Sequence, residues 1–129
     1  MECDVAVLGG GPGGYTAAIR AAQIGAKAAC IEKEAELGGT CLRIGCIPTK
    51  AWVQTAFAMK EAEETFAKLG VQVGAPNLDF ATANEWKAGV VKQMTGGVAS
   101  LFKANGVEWV KGRGRFRGPN TLSVEAGRT

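Results

Sequence analysis

The chain has no histidine. That absence removes every mechanism that needs an imidazole of this chain as base or metal ligand, which excludes His-dependent triads and most zinc enzymes. Long apolar runs are missing too. The longest uncharged stretch, Val5 to Ile19, has 15 residues and holds five glycines and a proline, short of the about 20 apolar residues that span a bilayer. No membrane partner is expected. Charge of one sign is scarce: 15 Lys and Arg stand against 12 Asp and Glu, a net +3. That balance alone is too weak to argue for nucleic acid. The opening Met1-Glu2-Cys3-Asp4 is acidic where a secretory signal is basic, so a cytoplasmic location is expected.

What is present is ordinary globular chemistry. The chain has 129 residues, 47% apolar and 21% charged, which suits one domain or part of one and argues against disorder. Its 19 glycines are many, and they cluster. Four cysteines without a secretory signal point to catalytic or buried thiols over a secreted disulfide framework.

Asp4-Val5-Ala6-Val7-Leu8 is a short β-rich run ending in glycines and predicts a buried strand. Gly13 to Ile24 carries Ala17, Ala18, Ile19, Ala21 and Ala22 and predicts a helix stopped by Gly25. Lys27 to Ile31 predicts a second strand, closed by Glu32. After a turn at Gly38-Gly39-Thr40, two long helices are expected. The first covers about Cys46 to Leu69, with Trp52, Thr55, Ala56, Met59, Ala62, Phe66 and Leu69 at helical spacing and Gly70 as its end. The second covers about Asp79 to Ala104, with Phe80, Ala83, Trp86, Val90, Met94, Val98 and Leu101 on one face. Asp79 is its expected N-cap and Asn105-Gly106 its stop. The tail from Val107 to Val124 reads as a strand followed by a hairpin. The class is therefore α/β: a β-α-β unit, two long helices, then a short β-rich tail.

Gly9, Gly11 and Gly14 make G-x-G-x-x-G between the first strand and the first helix. The first glycine permits a tight turn, the second lets a pyrophosphate approach the backbone, and the third lets the helix pack on the sheet. Free amides at the helix start then face phosphate charge. Glu32, 18 residues past Gly14, lies where an acid accepts hydrogen bonds from ribose hydroxyls. Strand, loop, helix and acid together favour a dinucleotide site over a ligand-free turn.

Cys41 and Cys46 lie five apart. In an ideal helix their Cα atoms would be about 8.7 Å apart, beyond the about 7 Å that a bridge spans. A disulfide between them therefore requires a broken turn, which Gly45 permits, and such a bond is strained and reducible. Pro48 suits the first turn of the following helix. Cys46 then sits at that helix's N-terminus with Lys50 one turn on, surroundings that suit a thiolate. Two unpaired core thiols, or half a metal site, remain alternatives, although C-x4-C is not zinc spacing and no histidine completes it. Cys3 and Cys30 read as small buried apolar residues. The tail cations Lys111, Arg113, Arg115, Arg117 and Arg128 read as a solvated face, because the three middle arginines alternate along a strand.

A dinucleotide loop followed by Gly38-Gly39-Thr40-Cys41-Leu42-x-x-Gly45-Cys46-Ile47-Pro48-x-Lys50 resembles the flavin-dependent pyridine nucleotide–disulfide oxidoreductases. Lys92-Gln93-Met94-Thr95-Gly96-Gly97 and Gly112-Arg113-Gly114-Arg115-Phe116 are similar to the same family. Cys41-Leu42 and Ile47-Pro48-Thr49-Lys50 lean towards its dihydrolipoamide-oxidising branch, while glutathione- and mercuric-reducing branches share the cysteine motif. The resemblance implies an incomplete Rossmann-type FAD-binding domain over residues 1–129, the N-terminal portion only, without the NAD and interface domains. It also implies roles. Gly9, Gly11 and Gly14 would hold the FAD pyrophosphate, and Glu32, with Lys33 beside it, the adenosine ribose. Gly38, Gly39 and Thr40 would run along the flavin, Lys50 would lie near its ring, and Gly114 would touch the adenine end. Cys46 would face the flavin and Cys41 would exchange with dihydrolipoamide, with NAD as the final acceptor. The partners implied are a lipoyl group on a carrier protein and a second subunit in a homodimer. Arg43 stands where the family usually has Asn and Thr49 where it has Ser, so Arg43 is expected to alter the thiol electrostatics or the substrate mouth. A partial domain of this kind is expected to leave apolar surface uncovered. A nucleotide-binding module without turnover and a flavin-free thiol sensor are the alternatives.

Overall fold

A computed structural model describes residues 1–125; Arg128 of the basic tail lies outside them. The β-α-β unit is present: β1 (Val5–Leu8), α1 (Pro12–Gln23) and β2 (Ala28–Glu32). It continues through α2 (Gly39–Arg43), α3 (Cys46–Glu64), a 3-10 turn (Phe66–Leu69) and α4 (Phe80–Asn105). β3 (Glu108–Lys111), β4 (Arg113–Gly118) and β5 (Thr121–Glu125) complete the described chain. β1, β2 and β3 form a parallel sheet in that order, with Val5 opposite Ala28, Leu8 opposite Ile31 and Glu32 opposite Lys111. β4 and β5 are an antiparallel hairpin.

Strand pleating divides the sheet into two faces. Ala28 and Cys30 point to one, where Ala18 of α1 and Val98 and Phe102 of α4 close the core with Leu37, Leu42 and Val107. Leu8 and Ile31 point to the other, against Gly114 of the hairpin, where any side chain would meet the Leu8 methyl. β2 is covered on both faces and buried throughout, as its unbroken apolar run requires.

Four expectations need correction. β1, predicted as a buried strand, is the edge of the sheet, with Val5 and Leu8 exposed and Val7 half-buried. The helix predicted over Cys46 to Leu69 ends at Glu64 and tightens to a 3-10 turn before Gly70 (φ +78°). Glu61, Glu63 and Glu64 crowd its C-terminus, where the helix dipole disfavours anions, and the chain continues in tighter bonds accepted by the Thr65 and Ala67 carbonyls. Gly38-Gly39-Thr40 begins the short helix α2, which Gly38 (φ +114°) caps. The apolar face of α4 also differs. Asp79 does cap the helix, accepting from the Thr82 amide at 3.2 Å, and Gly106 ends it. Its buried side chains, however, are Thr95, Val98 and Phe102, while Phe80, Trp86, Met94 and Leu101 are exposed. Only the C-terminal half of this 26-residue helix reaches the sheet. The face is thus chosen by where the sheet lies and not by apolar spacing alone.

Candidate functional site

The glycine loop forms as its spacing demands. Gly9 leaves β1 with φ +99° and donates its amide to the Ile31 carbonyl at 2.8 Å. Gly11 caps α1 with Pro12 in its first turn. At Gly14 a Cβ would collide with the Gly9 carbonyl oxygen, so only glycine lets the helix start against the strand it follows. Tyr15 is the first residue of α1 whose amide finds a backbone acceptor, Gly11, at 2.9 Å. The Gly13 and Gly14 amides have none among the described residues and carry the partial positive charge of the helix end.

Glu32 is 7% exposed, and both carboxylate oxygens are already engaged. Oε2 accepts the Gly10 amide at 2.7 Å and Oε1 the Glu34 amide at 2.9 Å. The strand-end acid thus anchors the loop it was expected to complement. Gly10, outside the fingerprint, is constrained too: a Cβ there would lie 2.6 Å from Leu37 and 3.2 Å from the Glu32 carboxylate. Nothing in the spacing signals this second demand, because Leu37 reaches the loop only in the folded chain.

The loop is joined to the cysteine segment directly. Gly38 donates its amide to the Gly10 carbonyl at 2.7 Å, and a Cβ on Gly39 (φ +58°) would come 2.7 Å from the Gly11 Cα. Cys41 lies within α2, and Cys46 is the first residue of α3. The helical path breaks between them at Ile44 and Gly45, where a Cβ on Gly45 would stand 2.9 Å from the Thr40 carbonyl oxygen. This is the broken turn that five-residue spacing requires of a bridgeable pair.

Both cysteines are free thiols, Cys41 half-buried and Cys46 exposed. Cys41 is raised above the ordinary thiol range, first by its hydrogen bond to the Cys46 sulfur, then by burial and by charge on Cys46. The Cys46 backbone amide and the Lys50 ammonium oppose the shift. Cys30, fully buried, is pushed up to about 11 by burial and then by the Glu32 carboxylate, and it is an inert core thiol as expected. Cys3 is only half-buried. Lys50 is exposed, and Lys33, also exposed, reaches Glu34 at 3.7 Å. Gly114 lies over the C-terminal ends of β1 and β2, on the opposite face of the sheet from α1. Arg43 pairs with Glu34 at 3.2 Å. The tail arginines are solvated: Arg113, Arg115 and Arg117 are exposed, and Arg117 donates to Ser123 at 3.1 Å.

The glycine loop after β1 is thus hydrogen-bonded to the segment that carries the two cysteines, at one end of a parallel sheet. A family model described as pyridine nucleotide-disulphide oxidoreductase matches residues 3–129, and the chain belongs to that family. It is 48% identical over 124 residues to dihydrolipoyl dehydrogenase 1, mitochondrial, of Arabidopsis thaliana, covering 96% of this chain and 24% of the relative. It is 46% identical over 127 residues to the dihydrolipoyl dehydrogenase of Geobacillus stearothermophilus, covering 98% and 27%. Leghemoglobin reductase of Vigna unguiculata is 47% identical over 124 residues, 96% of this chain and 24% of the relative. The chain therefore spans about a quarter of the length of the curated relatives it matches. No described helix is long and apolar enough to cross a membrane.

Proposed function

We propose that residues 1–129 are the N-terminal part of the FAD-binding domain of a dihydrolipoyl dehydrogenase, the part that holds the cofactor's pyrophosphate and carries the exchanging thiols. The observation that carries this reading is the adjacency of two sites. The amides of Gly13 and Gly14 have no acceptor among the described residues, and the loop containing them hydrogen-bonds through Gly10 to Gly38, which caps the Cys41 helix. These residues fit FAD. Gly9, Gly11 and Gly14 would admit the pyrophosphate; Gly38, Gly39, Thr40 and Lys50 would border the flavin; and Gly114 would meet the adenine end. A carboxylate has about four acceptor positions, so Glu32 would keep capacity for the ribose, with Lys33 beside it. Bound FAD would accept two electrons from the dithiol and deliver hydride to NAD.

The protein's part is thiol exchange. With Cys41 and Cys46 joined, one thiolate of dihydrolipoamide attacks the Cys41 sulfur and releases the Cys46 thiolate at the N-terminus of α3. The second substrate thiolate then attacks its own mixed disulfide and releases Cys41. Substrate leaves as the cyclic disulfide, and the protein pair is a dithiol. Exposure of Cys46 and half-burial of Cys41 leave this turn reachable from solvent. The same reading makes a lipoyl group on a carrier protein the substrate and a homodimer the full assembly. It places the chain in the cytoplasm, where reduced thiols are the norm.

The test is stoichiometric. The chain is oxidised so that Cys41 and Cys46 are joined, then mixed with excess dihydrolipoamide. Two thiols should appear on the protein for each lipoamide disulfide formed, and Cys41→Ser should show no such exchange. A bridged chain that dihydrolipoamide leaves oxidised overturns the proposal.

A further inference from the structure

Arg43 lies between the two cysteines, yet its guanidinium is committed to Glu34, Nη2 to Oε2 at 3.2 Å, with the arginine side chain only 25% exposed. Glu34 in turn donates its backbone amide to Glu32 Oε1 at 2.9 Å. The other Glu32 oxygen accepts the Gly10 amide at 2.7 Å, and the Gly10 carbonyl accepts the Gly38 amide at 2.7 Å. Gly38 caps α2, its carbonyl accepting the Leu42 amide at 3.3 Å, and Leu42 adjoins Arg43. These contacts close a ring. It runs from the cysteine helix through two acidic residues to the phosphate loop and back to the first turn of the same helix.

Every link but one has a backbone group on at least one side: two join the buried Glu32 carboxylate to an amide, and two run from backbone to backbone. The exception is the Arg43–Glu34 pair, which is also the only link made by two side chains. α2 has five residues, too few to hold itself in place by helix formation. Its N-terminal end is fixed by Gly38 and its buried side by Leu42, while its C-terminal end adjoins the break at Ile44 and Gly45. Arg43 is therefore the tie at the end where the chain turns towards Cys46.

We propose that Arg43 is a positioning residue: through Glu34 it closes this ring, holds the Cys41 helix against the glycine loop, and thereby sets the thiol–disulfide equilibrium of Cys41 with Cys46. The proposal rests on the redox role assigned to that pair. Loosening α2 lets the two sulfurs spend more time apart, which disfavours the bonded form relative to the dithiol. In the reaction that measures this, the dithiol loses two electrons and two protons to glutathione disulfide. One sulfur–sulfur bond forms in the protein, one breaks in the reagent, and two molecules of glutathione leave.

The experiment equilibrates the 129-residue chain with glutathione buffers of graded ratio and reads the bonded fraction by mass after alkylation. Arg43→Ala should lower the equilibrium constant about two- to fivefold, the range of a partly exposed ion pair. Glu34→Gln should do the same, the double variant no more than either alone, and Arg43→Lys should recover part of the loss. A fold defect alone would not produce this non-additive pattern with rescue. If the native chain forms the bond and Arg43→Ala leaves its equilibrium unmoved, or if the two single effects add in full, the positioning role is overturned. If the native chain forms no Cys41–Cys46 bond at any ratio, the redox reading itself is overturned, and this proposal with it.

Discussion

At the scale of single residues, Cys41 and Cys46 occupy different surroundings, the first half-buried and the second exposed. Cys41 is raised above the ordinary thiol range first by side-chain hydrogen bonding with Cys46, with burial and charge on Cys46 adding to that effect. Cys46→Ala removes the first of these causes. The pH at which Cys41 reaches half its maximal alkylation rate by iodoacetamide should therefore fall, read on the Cys41 peptide; an unmoved or higher midpoint contradicts the assignment. Glycines in the loop separate just as sharply. Gly14→Ala forces a methyl into the Gly9 carbonyl and should cost about 2 kcal/mol. Gly13, one residue earlier, has nothing within 4 Å of its Cβ position, and Gly13→Ala should gain about 0.5 kcal/mol of helix propensity. Urea midpoints of the two variants should move in opposite directions.

At the scale of elements, α4 depends on its first residues more than its length suggests. Asp79 accepts from both the amide and the hydroxyl of Thr82, at 3.2 and 2.7 Å, and these bonds hold its carboxyl below the ordinary range. A carboxyl lower in the folded than in the unfolded chain contributes stability that is complete above about pH 4 and lost as pH falls through the folded value. Asp79→Ala should therefore lower the urea midpoint at pH 7, followed by helical dichroism. The gap from the native chain should shrink in acid, and a gap constant down to pH 2 would argue against the cap. Beyond the cap, the outer half of α4 gains little from the sheet. Its Phe80 and Lys87 meet α3 instead, with the Trp52 and Phe80 rings 6.3 Å apart and the Lys87 ammonium 4.7 Å from the Trp52 ring centre.

At the scale of the whole molecule, the sheet and its helices bury a core on one side, while α3 and α4 carry Trp52, Phe57, Phe80 and Trp86 into solvent. Leu8 on β1 and Phe116 on the hairpin are exposed as well. Exposed aromatic side chains on packed helices, Trp52 and Phe80 with rings 6.3 Å apart among them, form apolar surface of the kind that proteins usually cover. The chain should bind a hydrophobic dye in its native state and elute larger than a monomer as concentration rises. A monomer at all concentrations that leaves the dye dark would contradict this.

Apart from α2 and the 3-10 turn after α3, the order of strands and helices was legible in the sequence, because glycine conformations, helix caps and apolar periodicity are local properties. The tight turn from Gly9 to Gly14, the Asp79 cap and the break between the two cysteines could be read from residue type and spacing. The buried face of α4 was not legible, since apolar spacing does not say which part of a long helix meets the sheet. Nor was the work of Glu32, Gly10, Leu37 and the Arg43–Glu34 pair, whose contacts join residues up to 28 positions apart through the folded backbone. Local stereochemistry determined the pieces of the site. Long-range packing decided how the glycine loop is tied to the thiol turn, because hydrogen bonds between distant segments exist only once the chain has closed on itself.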